Sequence, residues 1–150
     1  MAVENPTVRR LWAQTKLRVH EGRYRLVSLP TKELTRAAQF FGSIGAGFAA
    51  LILEPSEVSM SVPEGVWQEH RALFPAARED GPFRVITFDL DVELSTWGYF
   101  APAAGRLATA GVSIVPQCAF LKDHLLVKDE DLPRAVAVLE ALIHESQPED

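Results

Sequence analysis

The hydrophobic pattern in the first half of the chain changes period several times, and the changes predict strands and helices in turn. Tyr24–Leu29 alternates apolar and polar residues and ends at a proline, which predicts a strand. Residues 31–41 begin with a threonine that can cap a helix, so a helix is expected there. Residues 48–53 are apolar and residues 57–62 alternate strictly, which predicts a hairpin. Residues 65–73 have apolar side chains at helical spacing.

The second half repeats this order of elements. Residues 83–88 predict a strand, residues 97–110 a helix that ends at Gly111, and residues 112–120 and 124–127 two further strands. A broad apolar stripe after Pro133 predicts a last helix with an acidic start. Two βαββαβ units are therefore expected, one over residues 21–80 and one over residues 81–146. Residues 147–150 are expected to be a disordered tail.

We expect residues 1–20 to be an N-terminal extension. Its few apolar side chains include Trp12, among charged and polar neighbours. This pattern leaves two alternatives open, a short helix docked through Trp12 or a frayed arm.

Composition narrows the class of protein but does not indicate its activity. A chain of 150 residues that is 47% hydrophobic can bury a core as one ordinary domain or two very small ones. Its net charge of −5 counts against a nucleic-acid binder. The single Cys118 excludes an internal disulfide, and no apolar run approaches the roughly 20 residues that span a bilayer. Without a recognisable secretory signal at its start, the chain is expected to be cytoplasmic, with no membrane partner.

Three runs in the second half resemble an ACT domain. They are LSTWG at 94–98, LATAGVSI at 107–114 and FLKDHLLV at 120–127, and they keep the family spacing without gaps from 98 to 127. In the first half, EPSEVSMSV at 54–62 is similar to a hairpin of the same family. The sequence resembles, more narrowly, a subfamily of small bacterial and fungal proteins that is related to the animal cytosolic arginine sensors.

The resemblance implies an α+β fold of two tandem ferredoxin-like βαββαβ units packed side by side. It also implies a regulatory module, with no catalysis and no cofactor, that binds a free amino acid at an interface between units and forms a homodimer. Because the module carries no enzyme domain, it would act on a separate partner protein. The alternative is an ACT pair that has lost its ligand and serves as a protein–protein interaction adaptor.

Six residues are candidates for ligand contact. A loop at a predicted helix start offers free backbone amides to a carboxylate, and a carboxylate in the hairpin is suited to an ammonium group. Ordinary alternatives exist, since Ser and Thr cap helices and Asp is common in turns. The resemblance implies ligand contacts for both segments. The candidates are Ser95, Thr96, Gly98, Ala119, Phe120 and Asp123.

Two departures from the family pattern bear on the ligand. Ala119 lacks the hydroxyl of the arginine sensors, and Thr96 stands where they carry a glutamate that meets a cationic side chain. A neutral amino acid is therefore expected rather than arginine.

Other chemistry has weaker support in the sequence. The acids Asp89, Asp91 and Glu93 alternate but lack the glycine and distal glutamate of a calcium loop. The four histidines fall on separate elements without metal-ligand spacing. No nucleophile–base–orienter set is recognisable, so neither a catalytic nor a metal site is expected.

Overall fold

The computed structural model describes residues 3–150. These residues form five α-helices and seven β-strands. In chain order the elements are α1 (Pro6–Gln14), β1 (Leu17–Val19), β2 (Tyr24–Leu29), α2 (Leu34–Ser43), β3 (Ala50–Leu53), β4 (Val58–Pro63), α3 (Glu64–His70), β5 (Arg78–Phe88), α4 (Ala101–Thr109), β6 (Ile114–Cys118), β7 (Asp123–Lys128) and α5 (Leu132–Glu145). The protein is an α+β protein with antiparallel strand pairing.

The chain divides into two compact units, named here for their place in the sequence. The central unit is His20–Val85, and the flanking unit consists of the described residues before His20 together with Ile86–Asp150. Strand β5 passes from one unit to the other. The residues expected as an N-terminal extension thus belong, by their contacts, to the flanking unit.

The central unit has the strand order β3-β4-β2-β5, with α2 and α3 packed on one face. Alternation in β2 and β4 puts every second side chain on that face, and the register pairs Val27 with Met60 and Leu29 with Val58. The aromatic side chains Phe40, Trp67 and Phe74 complete this core. Burial of one face explains why the alternating pattern predicted these two strands.

The flanking unit has β7 between β6 and β5, and β1 pairs with the last three residues of β5, Leu17 opposite Phe88. Its core contains buried residues from α1, β5, β7, α4 and α5, among them Trp12, Phe88, Leu125 and Leu139. Asn5 caps the start of helix α1, since its Oδ1 accepts hydrogen bonds from two backbone amides of the first turn. Of the two alternatives for this segment, the docked helix is the one formed.

Several element boundaries differ from the predicted ones. The helix predicted over residues 97–110 begins only at Ala101, with Pro102 in its first turn. Strand β5 begins at Arg78, five residues before the predicted start, because Arg78–Asp80 pair with β2 although they lack a hydrophobic pattern. Strand β1 was missed, since three residues carry too little periodicity to be recognised. No helix in residues 3–150 is long and apolar enough to cross a membrane.

Candidate functional site

The β6–β7 hairpin holds three of the six candidate residues. Its four-residue turn is closed by a bond from the Ala119 amide to the Lys122 carbonyl (2.9 Å), and Cys118 pairs with Asp123 across the two strands. A hydrogen bond between the Cys118 thiol and the Asp123 carboxylate, together with burial and the carboxylate's charge, raises the pKa of the thiol. Phe120 is 75% exposed at the tip of the turn.

The loop between β5 and α4 is tied to this hairpin. The Val92 amide donates to the Leu121 carbonyl (2.9 Å). The Lys122 ammonium contacts the carboxylates of Asp91 and, at 3.8 Å, Asp89. These contacts raise the pKa of Lys122, the hydrogen bond to Asp91 having the largest effect. Asp89 and Asp91, two of the three alternating acids, therefore neutralise Lys122. Residues 3–150 contain no group of three or more His, Cys, Asp or Glu side chains that could hold a metal ion.

Tyr99 ends the loop as a buried side chain, only 4% exposed. Its hydroxyl lies 2.6 Å from Thr15 Oγ1, and its backbone carbonyl accepts a 2.7 Å bond from Trp12 Nε1. Burial raises the pKa of Tyr99 to about 12, and the negative charge of Asp123 adds to this shift. Asp123 is thus close enough to act on the Tyr99 phenol.

Gly98 lies where the loop meets helix α1. Its φ of +84° is one that side-chain-bearing residues rarely adopt, and a Cβ added there would lie 3.8 Å from Val8 Cγ2. Gly98 and Trp97 border an open, mainly apolar groove of about 1040 Å³ between the N-terminal segment, α4 and α5. Trp97 is 76% exposed and leaves this groove unfilled.

The two remaining candidates, Ser95 and Thr96, lie in the loop and not at a helix start. The prediction of a helix from Trp97, capped by Ser95 or Thr96, is wrong at this end, because α4 starts at Ala101. The Thr96 amide already donates to the Glu93 carbonyl (2.9 Å), so it is not a free anion-binding group. Ser95 is an exposed residue.

Taken together, the structure joins the loop and the hairpin through Val92 and Leu121. It also adds two residues that sequence reasoning missed, Tyr99 and Thr15. No local signal marked this pair, since the two residues are 84 positions apart.

A comparison of the two hairpins bears on the role of Asp123. Both have four-residue turns in which the first amide donates to the fourth carbonyl, at 2.9 and 3.0 Å. In the central unit, Leu53 pairs with Val58, which is fully buried. In the flanking unit, the corresponding pair is Cys118 and Asp123. The hairpin of the central unit therefore forms without an aspartate at this position, whereas Asp123 in the flanking unit bonds to the Cys118 thiol across the strands.

Two of the histidines and the single cysteine take part in hydrogen bonds within the fold. His124 Nδ1 lies 2.7 Å from Thr87 Oγ1, and His70 Nδ1 lies 2.9 Å from the Val66 carbonyl. The raised pKa of Cys118 makes its thiol a weaker nucleophile than an ordinary cysteine.

Comparison with solved structures identifies similar folds. A protein from Agrobacterium tumefaciens is 24% identical (TM-score 0.69; 86% of this chain and 89% of that one). A protein of unknown function and possible transport protein from Vibrio cholerae is 19% identical (TM-score 0.67; 91% and 95%). The ligand-free regulatory subunit of aspartate kinase from Thermus thermophilus is 16% identical (TM-score 0.64; 85% and 97%). No family model and no curated protein matches this sequence.

These likenesses concern the fold. The aspartate kinase neighbours from Thermus thermophilus and Thermus flavus are regulatory subunits, and the chain has an ACT-like fold. At identities below 25%, the ligand and the biological role do not follow from the comparison.

Proposed function

We propose that the protein is a non-catalytic regulatory module that binds a free amino acid through the hairpin and loop of the flanking unit. The observation that carries the proposal is Asp123, a partly buried carboxylate whose charge raises the pKa of Tyr99, at a position where the other hairpin has a buried valine. A carboxylate in a partly buried position is suited to an ammonium group.

The proposed ligand contacts are the six candidate residues named from the sequence. The one change is that the side-chain hydroxyls of Ser95 and Thr96, and not free backbone amides, bind the ligand carboxylate. Asp123 holds the ligand ammonium, and Gly98, without a side chain, gives the ligand access to backbone. The hydroxyls of Ser95 and Thr96 supply donors for its carboxylate. Ala119 and the exposed Phe120 border the site. The ligand is a neutral amino acid, since no residue in this set offers a second negative charge to a cationic side chain.

The architecture we propose is a pair of ACT units, each of ferredoxin-like βαββαβ order. The central unit follows β2-α2-β3-β4-α3-β5, and in the flanking unit, β5-α4-β6-β7-α5, β1 takes the place of the fourth strand. As in the sequence-based expectation, the ligand is held where such units meet, in a cytoplasmic homodimer that acts on a separate protein.

A thermal-shift screen of the twenty amino acids at millimolar concentration tests the proposal. A ligand at about 100 times its Kd stabilises the fold by about 2.7 kcal/mol, and each kcal/mol raises the Tm of a chain this size by roughly 2–4 °C. We expect at least one neutral amino acid to raise the Tm by several degrees, and Asp123→Asn to abolish the rise. Glu140→Gln, the same change of charge on the exposed side of α5, is the matched control.

Two results contradict the proposal. A flat profile for the unmodified protein across all twenty amino acids excludes this ligand class at these concentrations. An undiminished Tm rise in the Asp123→Asn variant excludes the site.

A second candidate function is the ligand-free interaction adaptor. It is favoured by the apolar groove beside Trp97 and by the exposure of Leu94 (70%), Trp97 and Phe120. On this interpretation, Trp97→Ser abolishes binding of a partner protein while the amino-acid screen stays flat. The two candidates are therefore separated by the same screen.

A further inference from the structure

The geometry points to Thr15 as a positioning residue: through Tyr99, helix α1 fixes the loop that carries the proposed ligand contacts. This inference rests on the proposed function only for its effect on ligand affinity. The fixing of the loop is a property of the fold alone.

The two hydrogen bonds at Thr15 have a defined direction. Its hydroxyl donates to the Leu11 carbonyl at 2.8 Å, and a hydroxyl has a single hydrogen. In the 2.6 Å contact with Tyr99, the tyrosine is therefore the donor and Thr15 the acceptor. The proton of the Tyr99 hydroxyl is thus held by Thr15, the residue that follows α1, and the Thr15 side chain is itself held by the Leu11 carbonyl of that helix.

Helix α1 holds Tyr99 at more than one point. Trp12 Nε1 donates to the Tyr99 carbonyl, and the two rings stack with centroids 4.8 Å apart and an interplanar angle of 19°. Val8 Cγ2 faces Gly98, the preceding residue, and lies 3.8 Å from the point where a Cβ would stand on that glycine. Backbone and side chain of this end of the loop are thus both fixed by one helix.

Tyr99, held in this way, is close to the proposed ligand contacts. Gly98 precedes Tyr99 directly, Thr96 stands three residues before it, and Asp123 lies near enough to raise its pKa. A buried donor that loses its acceptor must move toward water or another acceptor. Loss of the Thr15 oxygen should therefore shift or loosen the loop more than it lowers overall stability.

The test uses two substitutions at one position in the full chain. Thr15→Val keeps the shape and removes the hydroxyl, whereas Thr15→Ser keeps the hydroxyl. Amide hydrogen exchange is measured over residues 92–100, with residues 58–63 of the central unit as the internal reference. We expect exchange of the loop to become about five- to tenfold faster in Thr15→Val, the loss of one buried hydrogen bond, and to return to the original rate in Thr15→Ser.

Ligand affinity is the second measurement. The amino acid that raises the Tm of the unmodified protein should bind Thr15→Val several-fold more weakly and Thr15→Ser about as well as the original. If no amino acid raises the Tm, the proposed function has failed, and the exchange measurement still decides the positioning role.

Two outcomes overturn the inference. One is unchanged exchange over residues 92–100 in Thr15→Val. The other is an equal acceleration in the loop and in the reference strand, because that result assigns Thr15 a merely structural role.

Discussion

Replacement of Trp12 by phenylalanine tests whether the N-terminal segment is a part of the flanking unit. Trp12 is completely buried and contacts two aromatic rings, Tyr99 at 4.8 Å and Phe88 at 5.1 Å between centroids. Its indole N–H is the donor to the Tyr99 carbonyl. Phenylalanine keeps an aromatic ring in the core but has neither the donor nor the full volume.

The expected loss of stability is the sum of two effects. A buried carbonyl left without its donor costs about 1–3 kcal/mol. The smaller ring leaves a partial cavity, and since complete removal of a Trp side chain costs about 3–5 kcal/mol, we assign about 1–2 kcal/mol to this part. The free energy of unfolding should therefore fall by about 2–5 kcal/mol, a large share of the 5–15 kcal/mol that is typical of a folded domain.

Urea unfolding followed by circular dichroism measures this difference. Trp97→Phe is the control, because Trp97 is 76% exposed and its replacement should change stability by less than about 0.5 kcal/mol. A Trp12→Phe variant as stable as this control would refute the reasoning and favour the frayed arm that the sequence left open.

Other substitutions and conditions give further expected outcomes. Gly81→Ala should lower the free energy of unfolding by about 1–3 kcal/mol. Gly81 has a φ of +135°, and an added Cβ would lie 3.0 Å from the Tyr24 carbonyl oxygen. A neutral effect in urea unfolding would contradict this geometry. Met60→Ala, in the fully buried core of the central unit, should cost about 2–5 kcal/mol in the same assay, and a cost below about 1 kcal/mol would argue against its burial. Burial raises the pKa of Tyr99 to about 12, so its contribution to stability is complete below the unfolded value near 10 and is lost as pH rises through 12. Unfolding at several alkaline pH values should show a loss of up to about 2.7 kcal/mol that is absent in Tyr99→Phe, and an equal loss in that variant would exclude Tyr99 as its source.

The elements with a clear period were predicted well because each buries one face. Tyr24–Leu29 matches β2 at both ends, and the strictly alternating residues 57–62 correspond to β4 within one residue. The stripe after Pro133 corresponds to α5, whose first turn contains that proline. In these cases local pattern and tertiary burial agree.

The errors occurred where long-range pairing decides the structure. Arg78–Asp80 form strand only because β2 offers a partner, and Leu17–Val19 form strand only beside the end of β5. The helix predicted from residue 97 starts four residues later, at Ala101. Between these positions, Gly98 takes a positive φ and Tyr99 turns into the core toward α1.

For the candidate site, the sequence by itself determined the hairpin that holds Asp123, because a hairpin depends on short segments with characteristic residues. Only the tertiary structure decided that the loop and the hairpin are joined, and that Thr15 and Trp12 hold Tyr99, whose pKa the charge of Asp123 raises. The physical reason is distance along the chain. A hydrogen bond between residues 84 positions apart leaves no periodicity in either segment, and it exists only once the flanking unit has brought its two separate pieces of chain together.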